Sequence, residues 1–309
     1  MKKLLTLLLF ACIFVTGCDK NSLKDAQSKL ETAHNYTASI VVSIKGDFEK
    51  NDITYRTRNK VTIDRITGTA KINADITTNN ETTSETYYIK TDKDNATTYK
   101  KVDGIYNATT EKKDQNSLYY ITAFINENSE VLRKEHIDNK TCYVIVLKKD
   151  RIASFLSSYY DVSFINKDKI SVTDDALIYI HVDKNNNIES IEADFTEIVK
   201  YNNKSLERFY LLIDYVSFNE NDEVKIPSQI LENSVDEKVL SIRRYAIDYV
   251  KEVNGLKLGN TITTNTIGYT IDSANLTVVD DIVKNGIIII DGYTIEVQDG
   301  KISIPVLSE

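Results

Sequence analysis

In YTASIVVSIKGDF, residues 36–48, the side-chain pattern repeats every two residues. Ala38, Ile40, Val42 and Ile44 fall on one face, Ser39, Ser43 and Lys45 on the other, and Val41 breaks the rule. A strand sends successive side chains to opposite faces, so this pattern demands a sheet with one dry side and one wet side. Four runs of the same kind follow: ITYRTRNKVTI, GTAKINADIT, ETTSETYYIK and NATTYKKVDGIYNA. They are rich in threonine and β-branched residues, as half-exposed strands are. Asn79-Asn80, Asp94-Asn95 and Asp103-Gly104 are turn pairs between or within them, because Asn, Asp and Gly tolerate the left-handed backbone that tight turns need. The chain therefore predicts a meander of long antiparallel strands.

Elsewhere the period changes. Leu23, Ala26, Leu30 and Ala33 recur at three and four, which predicts a helix over Ser22–Ala33 capped by Asn21 or Ser22. Asn116–Arg133 turns towards helix through Leu118, Ile121, Phe124 and Ile125, with a break at Asn128-Ser129. Arg151–Tyr160 carries Ile152, Phe155, Leu156 and Tyr159 at helical spacing. Between and after these, DNKTCYVIVLKK reads as a strand and DALIYIHVDKNNNIESIEADFTEIV as a hairpin about Lys184–Asn187. ERFYLLIDYVSFNENDEVKIP reads as a strand, a turn at Asn219–Asp222 and an edge piece stopped by Pro227. The stretch 238–253 fits a helix through Val239, Ile242, Ala246, Tyr249, Val250 and Val253. It fits a strand through Tyr245, Ile247 and Tyr249, and residues 236–254 are taken as a connector or strand.

Six of the ten glycines lie in the last 55 residues. There NGIIIIDGYTIEVQDGKISIP predicts three short strands joined by Asp291-Gly292 and Asp299-Gly300, favoured two-residue hairpin turns. LKLGNTITTNTIGYTI adds one or two more. Residues 255–309 are thus expected as a small β-module, in which the isoleucine run must be paired or covered to avoid aggregation.

The N-terminus carries a different signal. Lys2 and Lys3 precede about a dozen apolar residues, Leu4–Val15, the length of a signal segment and short of the roughly 20 a spanning helix needs. Val15-Thr16-Gly17-Cys18 resembles the bacterial lipobox. That resemblance implies cleavage after Gly17, a diacylglyceryl group with palmitate-type chains on the Cys18 thiol, and anchoring at the outer face of the cell membrane. Two acyl chains anchor stably where one is marginal. Residues 1–17 are then the signal peptide and 18–21 a short tether. Cleavage leaves 292 residues and removes Lys2, Lys3 and no acid, so the net charge of −8 becomes −10. An acidic chain argues against nucleic acid and against an electrostatic grip on anionic lipid. Cys12 departs with the signal, and Cys142 is left as the one unlipidated thiol, so no internal disulfide can form.

The order helix, long strands, helix, strand, helix, strands is similar to the LolA/LppX-like superfamily of bacterial lipid and lipoprotein carriers. The VDKNNNIESI hairpin and the NENDEVKIP close add to that likeness. The resemblance is strongest to uncharacterised lipoproteins of low-GC Gram-positive bacteria, in keeping with the abundance of Lys, Asn and Ile. It covers roughly residues 22–235, and the lack of tryptophan departs from relatives that carry one near the fourth or fifth strand. It implies an α+β fold: a large curled antiparallel sheet, an open half-barrel, with helices on its concave side. The inner face of such a sheet can hold an amphiphile. Candidate cavity-lining residues are Ile40, Val42, Ile44, Ile72 and Ile76 in the first half. Val144, Val146, Ile178, Ile180, Leu212 and Val216 are those in the second. The same alternation also fits a filled core packed on helices.

No catalytic constellation accompanies this pattern. His34, His136 and His181 have no metal spacing, and HExxH, GxSxG, CxxC and phosphate-binding glycine loops are absent. Asp183, Asn185 and Asn187 imitate the start of a calcium loop, but Ile188 stands where glycine is required and Asp194 where glutamate is. Asp174-Asp175 and Asp280-Asp281 read as turn or cap carboxylates. Tyr87, Tyr88 and Tyr99 offer an aromatic platform as a minor reading. The expectation is a non-enzymatic lipoprotein, without metal or cofactor, that binds a lipid or acyl chain as carrier or sensor. The alternative is a structural or regulatory module with a filled core that binds a cell-envelope protein.

Overall fold

The computed structural model describes residues 19–48, 51–113, 131–137, 140–152, 167–255 and 268–308. Contacts divide the chain into two compact units: residues 1–98 with 110–226, and residues 99–109 with 227–309.

The first unit begins with helix α1 (Asp19–Thr32), so residues 19–21 of the expected tether are helical. Long strands follow: β1 (Asn35–Phe48), β2 (Asn51–Asp64), β3 (Thr69–Thr78) and β4 (Glu81–Thr91), then β5 (Asn95–Val102) and β6 (Ile105–Lys112), of which residues 99–109 count with the second unit. Next come β7 (Val131–Ile137), β8 (Lys140–Leu147), β9 (Ile170–Val172), β10 (Ala176–Val182) and β11 (Ile188–Asp194). The unit ends with β12 (Val199–Tyr201), β13 (Lys204–Ser205) and β14 (Arg208–Phe218). Eleven strands form one sheet in the order β6-β5-β4-β3-β2-β1-β14-β11-β10-β8-β7, and β9, β12 and β13 form a second small one. The large sheet does not close on itself, and every pairing described within it is antiparallel. This is the half-barrel architecture expected. The buried stripe of α1, Leu23, Ala26 and Leu30, joins the core formed by one face of the sheet.

Tight turns set the meander. Asn79-Asn80, Asp103-Gly104 and Asn202-Asn203 all have positive φ at both central residues. That is the twist-matching hairpin turn which lets adjacent strands stay paired. Asp183 closes the β10–β11 hairpin with its own carboxylate, accepting from the backbone N–H of Asn185 and Asn187 and from the Asn187 amide. The calcium-like spelling is therefore a side-chain-stapled turn.

Two expectations change in this unit. Val131–Arg133, the end of an expected helix, is strand, because it pairs with β8 across a bulge; residues 116–130 lie outside the described residues. Of the Arg151–Tyr160 helix only Arg151 and Ile152 are described. The edge piece before Pro227 is not a strand. Its backbone is held by side chains instead: Asn35 Oδ1 accepts from Asn221 N at 3.1 Å and Asp64 Oδ2 from Val224 N at 3.3 Å.

In the second unit, α2 (Ser228–Asn233) precedes α3 (Glu237–Gly255). Residues 236–254, expected as connector or strand, are therefore helical from Glu237 on. Asp236 is the reason at the start: its carboxylate accepts from Val239 N at 2.8 Å, an N-cap bond. The stripe Ile242, Tyr245, Ala246 and Val250 then decides the period, because only a helix brings all four to one face. The expected C-terminal sheet is present as β15 (Ile271–Val279), β16 (Ile282–Ile290), β17 (Tyr293–Gln298), β18 (Lys301–Ile302) and β19 (Val306–Leu307). Helix α3 packs on one of its faces against Val283, Ile288, Ile290, Ile295 and Val297. The isoleucine run is paired on both sides, by β15 and β17. Residues 99–109 join this unit through Ala108 N to Val235 O, Val235 N to Tyr106 O, and an Arg244–Asp103 ion pair.

Candidate functional site

Register places the inner-face residues in rows across the sheet. Val42 sits between Leu211 and Thr57, and Thr57 faces Ile76, which faces Thr83. One step along, Ile40 lies between Ile213 and Asn59, and Asn59 leads on to Ala74 and Glu85. On the other side, Ile213 faces Ile191, Ile191 faces Ile180, and Ile180 faces Tyr143. The wall thus runs across seven adjacent strands, β3-β2-β1-β14-β11-β10-β8, apolar in these rows except at Thr57 and Asn59 on β2. Each fully buried aliphatic side chain in it contributes about 1.5–3 kcal/mol.

Of the residues expected to line a cavity, Ile40, Val42, Ile44, Ile72, Ile178 and Ile180 are buried in this wall, and Ile76 packs partly buried against it. Val144, Val146, Leu212 and Val216 do not join it. They lie on the opposite face: Val144 pairs with Tyr179, Val146 with Leu177, and Leu212 with Glu192, while Val216 is 67% exposed. The inward residues are their neighbours, Tyr143, Ile145 and Leu147 on β8 and Phe209, Leu211 and Ile213 on β14. Both strands are apolar on consecutive positions, and a one-residue slip sends every side chain to the other face. The strand alone carries no signal for the choice; the alternation of its partner β10, with Leu177 42% exposed, does.

The two ends of the wall differ. At one, Tyr36, Tyr215 and Phe218 cluster, with ring centroids 5.7 Å apart for Tyr36–Tyr215 and 5.8 Å for the stacked pair Tyr215–Phe218. The Arg65 guanidinium lies 5.6 Å over the Tyr36 ring, and burial pushes the Tyr215 phenol far above its ordinary range. At the other end, β12 and the residues just after it fold over β1. Phe48 meets Tyr201 with centroids 4.8 Å apart, and a Cβ on Gly46 would stand 2.9 Å from Leu206 Cδ2. The small apolar cleft there, between Ile44, Phe209, Ile170 and Val199, has about 10 Å³ free, room for about one water.

Inside the wall two polar atoms stand out. Thr57 is 7% exposed, and its Oγ1 is buried with no hydrogen-bond partner. Asn59 Oδ1, two residues along the same strand face, is likewise buried and unpartnered. Each such group costs about 1–3 kcal/mol. Sequence reading missed both, although a threonine and an asparagine at inward positions of ITYRTRNKVTI are visible there. Tyr87 also lies inward, opposite Ile72, and burial, helped by Glu85 and Tyr55, pushes its phenol up. Tyr88 is the next residue and faces the other way, so these tyrosines form no single platform.

The outer face gathers the groups that most resemble catalytic ones. Cys142 pairs with His181, whose Nε2 lies 3.7 Å from Glu192 Oε1, and Tyr210 donates to Glu192 Oε2 at 3.1 Å. The chemistry runs the wrong way for a nucleophile. Burial first, then Glu135 and Glu192, raise the Cys142 pKa, whereas a reactive cysteine needs a lowered one. Burial and Glu192 likewise push the Tyr210 phenol up to about 12 and raise Asp214. Among the described residues no three metal-ligating side chains gather. Asp175 holds Lys148 and the Lys149 N–H, and Asp280-Asp281 form a turn. Cys18 and Gly17 lie outside the described residues.

No protein-family model matches the chain, and no curated protein does. Solved structures do. The lipoprotein LppX of Mycobacterium tuberculosis is 10% identical, over 67% of this chain and 97% of that one, with a TM-score of 0.39. LprF of Mycobacterium bovis is 12% identical over 67% and 96%, at 0.36. A LolA superfamily protein of Nitrosomonas europaea is 11% identical over 68% and 96%, at 0.27.

Proposed function

We propose that this chain is an extracytoplasmic lipoprotein, anchored through Cys18 at the outer face of the cell membrane, that binds an amphiphile against the inner wall of its open sheet. The observation that carries this reading is the wall itself: it spans seven strands and is apolar except on β2, where the buried Thr57 Oγ1 and Asn59 Oδ1 have no hydrogen-bond partner. A sheet built only to pack would gain by replacing those atoms with methyl groups. Carriage or sensing of a lipid or acyl chain fits such a surface, and the non-enzymatic reading fits the raised Cys142.

A filled-core module that binds an envelope protein is the second reading. It is favoured by the low exposure of the wall, 1–4% for Ile40, Val42, Ile44, Ile72 and Ile178, and by the single-water size of the cleft. Two measurements together separate them. Native mass spectrometry of the protein extracted from its own membrane is expected to show a co-purifying lipid mass, and an acyl-chain fluorophore is expected to be displaced by added lipid. A bare protein mass together with no fluorophore binding rejects the amphiphile reading and leaves the module.

A further inference from the structure

Strand β2 presents Ile53, Tyr55, Thr57, Asn59, Val61 and Ile63 to the inner face. Apolar residues stand at both ends of that series and polar ones in the middle. Thr57 Oγ1 can donate and accept, and the Asn59 amide can do both. Neither Thr57 Oγ1 nor Asn59 Oδ1 has a partner, and Thr57 lies between Val42 and Ile76, which offer none. Unsatisfied buried groups in a fold point to something that satisfies them in use. The surroundings restrict what that is. Glu85 shares a row with Asn59, and the inward positions of β1 to β4 carry no lysine or arginine. The cations of β2, Arg56, Arg58 and Lys60, alternate onto the opposite face and are exposed. A carboxylate or phosphate would find no lysine or arginine to pair with at the inward positions of these strands.

We propose that Thr57 and Asn59 form a polar notch in the wall that holds an uncharged hydroxyl- or ester-bearing group of an acylated ligand, and so selects neutral acyl esters over acyl anions. This rests on the amphiphile reading above. The notch sets how deep the ligand sits, because its polar group can be paired at these two adjacent rows while its chain lies along the aliphatic rows beside them.

The test uses the full chain in mild detergent and an acyl-chain fluorophore, displaced by monooleoylglycerol or by oleate. Wild type is expected to prefer the ester by about tenfold or more. The Thr57→Val/Asn59→Leu variant is expected to bring the two within about twofold, by weakening the ester and leaving oleate unchanged. Ligand-free, the same variant is expected to melt higher than wild type, since it removes two orphan groups. If the fluorophore binds and the variant keeps the wild-type preference, the notch is wrong while the amphiphile reading stands. If no fluorophore binds at all, both fall. A lower melting point in the ligand-free variant also overturns the notch, because it shows that the fold itself satisfies these groups.

Discussion

Asp64 ties three segments of the first unit together. Its Oδ1 accepts from Ile66 N at 2.9 Å and Thr67 N at 3.1 Å, closing the turn into β3, while Oδ2 reaches Val224 N in the strap after β14. Burial alone would raise its pKa, but the N–H donors together hold it below the usual carboxylate range. A depressed pKa stabilises the fold above the unfolded value, about 4, and that contribution is lost as pH falls through the folded value. Asp64→Ala is therefore expected to lower unfolding stability at pH 7 by roughly 1–3 kcal/mol. The gap from wild type should narrow steadily as urea titrations are repeated at lower pH. A gap that stays constant down to acid pH would show that the carboxylate charge contributes nothing.

Elements in this chain are fixed by short signals of unequal clarity. In β16, Gly286 has φ +152°, and a Cβ there would lie 2.3 Å from the Asn275 carbonyl oxygen. In the turn after it, Gly292 has φ +77° with nothing within 4 Å. Gly286→Ala is expected to destabilise the second unit by about 2 kcal/mol or more, from strain and a backbone clash. Gly292→Asn should cost under about 1 kcal/mol, since Asn tolerates the left-handed region. Thermal melts of the two variants check the contrast, and equal midpoints would refute it. The same unevenness governs what the sequence reveals. Alternation placed β1 to β4, and the Asp-Gly pairs placed the C-terminal hairpins, because turn chemistry and period agree there. Helix α3 was missed because tyrosines at 245 and 249 suit either period, and its decisive mark is the single capping carboxylate of Asp236. The lining of β8 and β14 was half misread because those strands are apolar on both faces, so inward and outward are set by partners distant in sequence. The Asn202-Asn203 turn and its small sheet lie between longer runs, and the asparagine pair is their one mark in the sequence.

At the scale of the whole molecule, charge decides how the proposed membrane attachment must work. Without residues 1–17 the chain carries −10, and anionic lipid repels such a chain rather than holding it. No described helix is long and apolar enough to cross a membrane. Attachment on this reading falls to the acyl chains on Cys18 alone, and hydrophobic anchoring is insensitive to screening, whereas a salt-bridged grip is not. Washing membranes with about 1 M salt, where the Debye length is about 3 Å, should therefore leave the wild-type protein in the pellet. Cys18→Ser should move the leader-free protein, identified by intact mass, to the soluble fraction in the same cells. Release of wild type by salt would mean that charge or a protein partner holds it. Retention of the serine variant after leader removal would mean the same, and either result would remove the anchor from the proposed function while leaving the ligand wall to be judged by its own binding assay.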